Sequence, residues 1–522
     1  MKNLYLNALV LALCLITSNL YSATYYVSSS GTSSASGTIT NPLNFSAAIR
    51  KSLAAGDTIY VRGGTYSFTS TQTISRSGTS TSYIVITAYP GETPVLDFRN
   101  QAYNSSNPGV KINSDYLHFK GFIIQGAGDN GLIVYGSNNI IEHCTFRWNC
   151  DSGLQMKTGS DNLIKNCDSY ENFDYMTTKS DGTPNYGGNA DGFADKQYTN
   201  TGANTYLGCR SWLNGDDGWD SYQKIGNTVY DSCWCYKNGP DSIDMTNHIR
   251  FQTDSASWFY QFKGTDGRFV MKNYGNGNGF KVGGDQTTHN ATLRFCVSAG
   301  NAVKGFDQNN NAGLMTLYNC SAYKNNPNYG FANTLVGTLI IKNCASLDPL
   351  SSNIFKTSTI TSEHNSWNTG YTCNASYFEN LDATQLLANR QADGSLPEIT
   401  FMHQQSTSGM IDKGLDVGLF YWGTAPDLGA FEYNPSTTAI HENTTFSGVF
   451  SAYFLSTGKQ IIINASLESS IEIFTIPGRK ILSTNVSSGQ TELSAEGWSK
   501  GLYIIKAIDL NRNIRSAKIM VY

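Results

Sequence analysis

Leu339-Ile340-Ile341-Lys342-Asn343-Cys344 is a short apolar strand closed by a cysteine, and the same phrase recurs upstream. Leu163-Ile164-Lys165-Asn166-Cys167 is one copy, and Cys144, Cys209, Cys233, Cys296 and Cys320 close others. Successive cysteines are 23, 42, 24, 63, 24 and 24 residues apart. Five residues after each of the first six stands an asparagine: Asn149, Asn172, Asn214, Asn238, Asn301 and Asn325. A glycine and a bulky apolar residue follow: Gly153-Leu154, Gly192-Phe193, Gly218-Trp219, Gly279-Phe280, Gly305-Phe306 and Gly330-Phe331, with Gly131-Leu132 one layer earlier. A period near 24 made of short strands and polar turns marks a parallel β-helix, whose coils stack at about 4.8 Å. Small cysteines then pack inward one above another, and turn asparagines bond from layer to layer. The Leu/Phe/Trp column fills the core. Disulfides or a metal centre are the competing reading of the cysteines, but no CxxC pair or histidine cluster accompanies them. Cys150, Cys235 and Cys373 lie outside the column and remain candidates for pairing.

The two long gaps lengthen at the same turn. The Asn-to-Gly distance is four or five residues elsewhere, but 20 between Asn172 and Gly192 and 41 between Asn238 and Gly279. The excess, roughly residues 173–189 and 239–276, is therefore looped out without skipping a coil. The coil of Gly279 lies directly on that of Gly218, and the two loops are placed to wall a groove.

Outward from the repeat, Lys2 and the apolar run Ala8–Ile16 read as an export signal, residues 1–23, too short to span a bilayer. A buried first helix is the alternative. The β-helix domain is expected over 24–433. Its entry cap has a strand at Thr24–Ser28, an amphipathic helix carrying Phe45, Ala48, Ile49 and Leu53, and strands at 57–61 and 83–89. The repeat fades after about 350, and residues 355–433 are expected to finish the helix irregularly. Residues 440–522 alternate as short strands and form a separate small β-sandwich. The fold class is all-β, a parallel β-helix with a small C-terminal sandwich. The chain has 522 residues, only 15% of them charged, and a formal net charge of −4. With no basic run, nucleic acid is excluded as a partner. No later apolar run is long enough for a membrane span.

The chemistry gathers where the long loops join the repeat. Asp191 and Asp217 each precede a column glycine on adjacent coils, and Asp216 stands one residue further back. Asp220 is two residues after its glycine and faces outward, because Trp219 points in. Lys281 holds the same position one coil on, about 5 Å away. Four acids this close repel unless a cation joins them, and an all-oxygen set suits Ca²⁺. The bland alternative is an ordinary solvated Asp-Asp-Gly turn. A nearby cation and desolvation would lower the pKa of Lys281 toward that of a usable base, while the acids push the other way.

Asn189-Ala190-Asp191-Gly192-Phe193, Asn214-Gly215-Asp216-Asp217-Gly218-Trp219-Asp220 and Asn278-Gly279-Phe280-Lys281 resemble the calcium-dependent pectate lyases of polysaccharide lyase family nine. The resemblance covers roughly residues 24–433 and implies a right-handed β-helix. It implies that Asp191, Asp216, Asp217 and Asp220 ligate Ca²⁺ and that Lys281 is the Brønsted base. The implied reaction is β-elimination on an acidic plant cell-wall polysaccharide, pectate or another uronan. The 239–276 loop is longer than the family minimum, which bears on substrate preference. A glycoside hydrolase would instead need two opposed carboxylates and no metal. Rhamnogalacturonan cleavage and a non-catalytic glycan-binding adhesin are the other readings. Lys179, Arg250, Lys263 and Arg268 in the loops are candidate cations for an anionic substrate. Ile471-Glu472-Ile473-Phe474, Gly501–Ile505 and Ala517–Val521 resemble the sorting domain of the type IX secretion system, with a carbohydrate-binding sandwich as the alternative. That resemblance implies secretion machinery as a partner and a secreted or cell-surface protein; a monomer is expected.

Overall fold

The computed structural model describes residues 22–521 apart from 200–201, 247, 251–258, 420, 434–449, 456–458, 466, 476–478, 500 and 510–513. Nearly all of the expected export signal lies outside the described residues. Each coil contributes one strand to each of three parallel sheets, of 12, 10 and 10 strands. Leu163–Lys165 lies in the first; Asp168–Tyr170 lies in the second, beyond the Cys167 corner. The third, here the site sheet, holds Leu132–Val134, Leu154–Met156, Phe193–Asp195, Trp219–Asp220 and Phe280–Lys281 in that order.

The columns follow from side-chain chemistry. All seven corner cysteines are buried, and none of the ten described cysteines, Cys150, Cys235 and Cys373 included, forms a disulfide. The asparagine amides form a ladder: Asn149 donates to Asn172 (2.9 Å), Asn172 to Asn214 (2.8 Å), Asn214 to Asn238 (2.9 Å), Asn238 to Asn301 (3.0 Å) and Asn301 to Asn325 (2.9 Å). Each acceptor oxygen also takes the preceding asparagine's backbone N–H, so a buried turn leaves few polar groups unpaired. In the core, Phe193, Trp219, Phe280 and Phe306 stack with ring centroids 5.1, 4.6 and 5.1 Å apart.

One expected column member is displaced. Tyr329, not Phe331, pairs with Phe306, and Gly330 pairs with Asp307. The turn after Asn325 is shorter, and Asn328 takes the place of the column glycine: Phe306 N–H donates to Asn328 O, as Phe280 N–H does to Gly305 O, each at 2.9 Å. Phe331 is still buried, because it is two residues further along the same strand.

The entry cap holds the helix Phe45–Ile49, with Asn44 accepting from Ala47 N–H. Leu53 is buried beyond the helix end. Phe45 packs on Tyr66, Phe68 and Phe122 and closes the core. At the other end the repeat runs one coil further than expected, through Ile354–Phe355 and Thr359–Glu363. Trp367 then caps the core against Tyr329 and Phe355, and the rest of the segment adds no coil. Phe378, Leu386, Phe401, Met410 and Leu428 pack on Trp234, Val297, Tyr323 and Leu347, covering the outer face of the second sheet. Asp168 anchors this segment through Arg390 and Arg210, whose guanidinium also donates to Leu386 O and Ala388 O. The last strands, Phe450–Leu455 to Ile514–Val521, form two small antiparallel sheets around Ile461, Ile463, Ile471, Ile473 and Ile505.

Candidate active site

The two long loops leave the β-helix at the turn that enters the site sheet, and no coil is skipped: Phe193 pairs with Trp219, and Trp219 with Phe280. Asp220 and Lys281 are therefore neighbours on the outward face. The structure brings together all five residues singled out in the sequence. Carboxylate oxygens of Asp191, Asp216 and Asp217 lie within 4.8 Å of one another. Asp217 accepts from the backbone and side-chain N–H groups of Asn278 (2.7 and 2.8 Å), and Asp216 accepts from Asn276 N–H (2.5 Å). Asp191 accepts from Asp217 N–H (3.2 Å) and the Ser152 hydroxyl (3.1 Å). The end of the 239–276 loop thus orients the acids.

Asp220 stands beside this trio. Lys281 Nζ lies 3.0 Å from Asp217 and 3.3 Å from Asp220. A second lysine, missed in the sequence, completes the cluster: Lys196 Nζ is 2.9 Å from both Asp191 and Asp220. Its signal was available, since Lys196 follows Ala194 by two, one residue past a strand whose Phe193 points in.

When all are ionised, four carboxylates and two ammonium groups carry two net negative charges in a buried site. Burial, with Asp220 and Asp217 adding to it against Lys196, pushes Asp191 up to about 7. Burial, Asp217 and Asp191 push Asp216 well above the usual carboxylate range. Burial raises Asp220, but the two lysines outweigh it and hold its carboxyl low. Burial pulls Lys281 down, but Asp217, Asp220, Asp216 and Asp191 together hold its ammonium well above the ordinary value. Compact hard oxygen donors with a charge deficit of two fit one divalent cation of the calcium type.

Of the four loop cations, Arg250 is not at the surface. Arg250 is wholly buried and donates to Gln101 O, Arg99 O (3.1 Å) and the Tyr175 hydroxyl (3.2 Å), tying the two long loops to the wall before them. Arg268 pairs with Asp266 (2.7 Å), Lys263 sits over Phe269, and Lys179 is exposed at the first loop's outer part.

Residues 25–353 match the family described as Pel9A-like, right handed beta helix region. The chain belongs to this family of polysaccharide lyases. Pectate lyase L of Dickeya dadantii is 35% identical over 422 residues, covering 78% of this lyase and 90% of the relative. Pectate lyase PEL9 of Emericella nidulans is 30% identical, covering 73% and 92%. The crystal structure of pectate lyase Pel9A superposes with a TM-score of 0.66 at 35% identity, covering 80% of the lyase and 98% of that chain. Residues 457–522 match the secretion system C-terminal sorting domain, so the lyase is a secreted or cell-surface protein. No helix among its described residues is long and apolar enough to cross a membrane.

Proposed function

We propose that this lyase cleaves pectate by β-elimination, with Lys281 as the base and Ca²⁺ held by Asp191, Asp216, Asp217 and Asp220. The observation that carries the reading is Lys281 Nζ, 3.0 Å from Asp217 and directly beside Asp220 on the outward side of the site sheet. Bound calcium supplies positive charge to the uronate carboxylate and so acidifies the proton on the neighbouring ring carbon. Lys281 takes that proton, the bond from the next carbon to the glycosidic oxygen breaks, and a double bond forms between the two carbons. The acids hold Lys281 protonated while their charge is uncompensated, so its use as a base requires their charge to be taken up. Asn276 and Asn278 hold Asp216 and Asp217 in place, and Lys196 holds Asp191 and Asp220. The pectate lyase names of the relatives support polygalacturonate as substrate.

The test is ultraviolet absorbance of polygalacturonate and rhamnogalacturonan digests, with and without chelator. The expected result is an unsaturated-uronate signal on polygalacturonate that chelator abolishes and Lys281→Ala reduces by at least about a thousandfold. Reducing ends without that signal would refute elimination, and full activity of Lys281→Ala would refute the base.

A further inference from the structure

The outward face of the site sheet carries positive charge beyond the acid cluster. Residues of the outward row pair in the order Lys111, Ile133, Gln155, Ala194, Asp220, Lys281. Lys111 therefore lies four layers, about 19 Å, from Asp220, toward the N-terminal end of the helix. Lys157 follows the same strand as Gln155 and lies two layers from Asp220. Among the described residues neither lysine has a carboxylate partner. Each instead lies over a tyrosine ring: Lys111 Nζ is 4.5 Å from the Tyr135 centroid, and Lys157 Nζ is 5.4 Å from that of Tyr198, an exposed ring.

At Lys111 the face deepens into a cavity of about 440 Å³, lined among others by Thr73, Ser105, Lys111, Ile133 and Tyr135. The chain segment that supplies Ser105 and Ser106 to its wall also touches the first long loop. Tyr103 packs at a tilt on Tyr175 of the first long loop, ring centroids 5.1 Å apart, and its hydroxyl bonds Thr177 at 3.0 Å. A half-buried ring, an ammonium held over its face and nearby hydroxyls suit an acidic sugar: the ring takes the pyranose face, and the ammonium takes the carboxylate. Asp129 also borders this cavity. Burial and Asp151 push it up to about 7 and Asn130 donates to it, so its charge opposes an anion only in part.

We infer that the Lys111–Tyr135 cavity, reached past Lys157, is a distal subsite for the carboxylates of an acidic polysaccharide. This rests on the uronan-lyase reading of the Lys281 site and extends it. A 1,4-linked uronate chain advances by roughly one layer per sugar and carries a carboxylate on each. A chain centred on Asp220 and Lys281 reaches Lys157 after about two sugars and Lys111 after about four. A trisaccharide stops short of Lys111, and a polymer engages both lysines.

The experiment compares kcat/KM on polygalacturonate and on trigalacturonate at low ionic strength, in the full chain with calcium. In Lys111→Ala/Lys157→Ala the polymer-to-trimer ratio is expected to fall about tenfold, and Lys111→Arg is expected to keep most of it. An unchanged ratio would overturn the subsite while leaving the lyase reading intact. If the wild-type chain cleaves no uronan, that reading falls by itself. The subsite is then read by retardation of the full chain in a native gel containing polygalacturonate. Loss of retardation in the double variant supports it, and equal retardation overturns it.

Discussion

Asp216→Asn is expected to make the metal-free protein more stable and the calcium-loaded protein less responsive. Asp216 shares a 4.8 Å cluster with Asp191 and Asp217 and is 3% exposed. Two unit charges at that separation repel by about 3.5 kcal/mol at an effective dielectric of about 20. Asp216 faces two such neighbours, and Lys281 opposes part of that repulsion. Asparagine keeps the shape and the oxygen that accepts from Asn276 N–H, and removes the charge. The net gain in chelator is about 2 kcal/mol. Calcium at a hundredfold excess over its Kd stabilises the wild type by about 2.7 kcal/mol, and a variant that has lost one anionic ligand gains less. The variant's lead should therefore shrink in calcium, and the order reverses if calcium stabilises the variant by less than about 0.7 kcal/mol. Urea unfolding followed by tryptophan fluorescence, in chelator and in millimolar calcium, measures both. A variant less stable than wild type in chelator would refute the repulsion. Equal gains from calcium would remove Asp216 from the ligand set.

Asn238→Ala removes the acceptor of Asn214 N–H and Nδ2 and the donor to Asn301, at a wholly buried position. It should cost about 3–5 kcal/mol in urea unfolding; a loss under about 1 kcal/mol would mean that the ladder is dispensable. Burial and Lys224 push His289 down to about 3, so it stays neutral in the fold while the unfolded chain protonates near pH 6.5. Its contribution is complete above pH 6.5 and declines as pH falls toward 3, so wild type minus His289→Gln stability should drop by about 2 kcal/mol between pH 6.5 and 5. Denaturant midpoints across that range check the slope, and parallel curves would refute it. Arg250→Met unties the loops from the wall, so KM on the polymer should rise severalfold with kcat within about twofold; an unchanged KM would show that the wall holds without it.

The repeat was readable because each column demands one residue type. Cys167, Asn172 and Phe193 mark corner, turn and core on one coil, and counting between such marks is enough to set Lys281 beside Asp220, where the strand register has it. The count failed where a turn changed length: Asn328 replaces a glycine, and Tyr329 rather than Phe331 joins the stack. It was also silent on loops. Arg250 resembled a surface cation because loop position says nothing about burial, which here depends on carbonyl oxygens some 150 residues away. The covering segment carrying Phe378 to Leu428 has no period, since it packs on a finished surface rather than adding a layer.

The ladder also explains how a groove can be elaborated without losing its chemistry. Both insertions, 173–189 and 239–276, begin just after a ladder asparagine and end just before the site sheet. Asn172 and Asn238 hold the chain before each insertion, bonding both the preceding and the following asparagine of the ladder. The strands after the insertions, Phe193–Asp195 and Phe280–Lys281, resume pairing with the coil below. A loop at that turn can grow with only a slowly rising entropic cost, and the layer spacing beneath it stays fixed by the strand ladder. Asp220 and Lys281 therefore keep their 3.3 Å contact whatever the loops carry. The lengths and walls of the groove vary above a floor whose charges are spaced by the backbone itself.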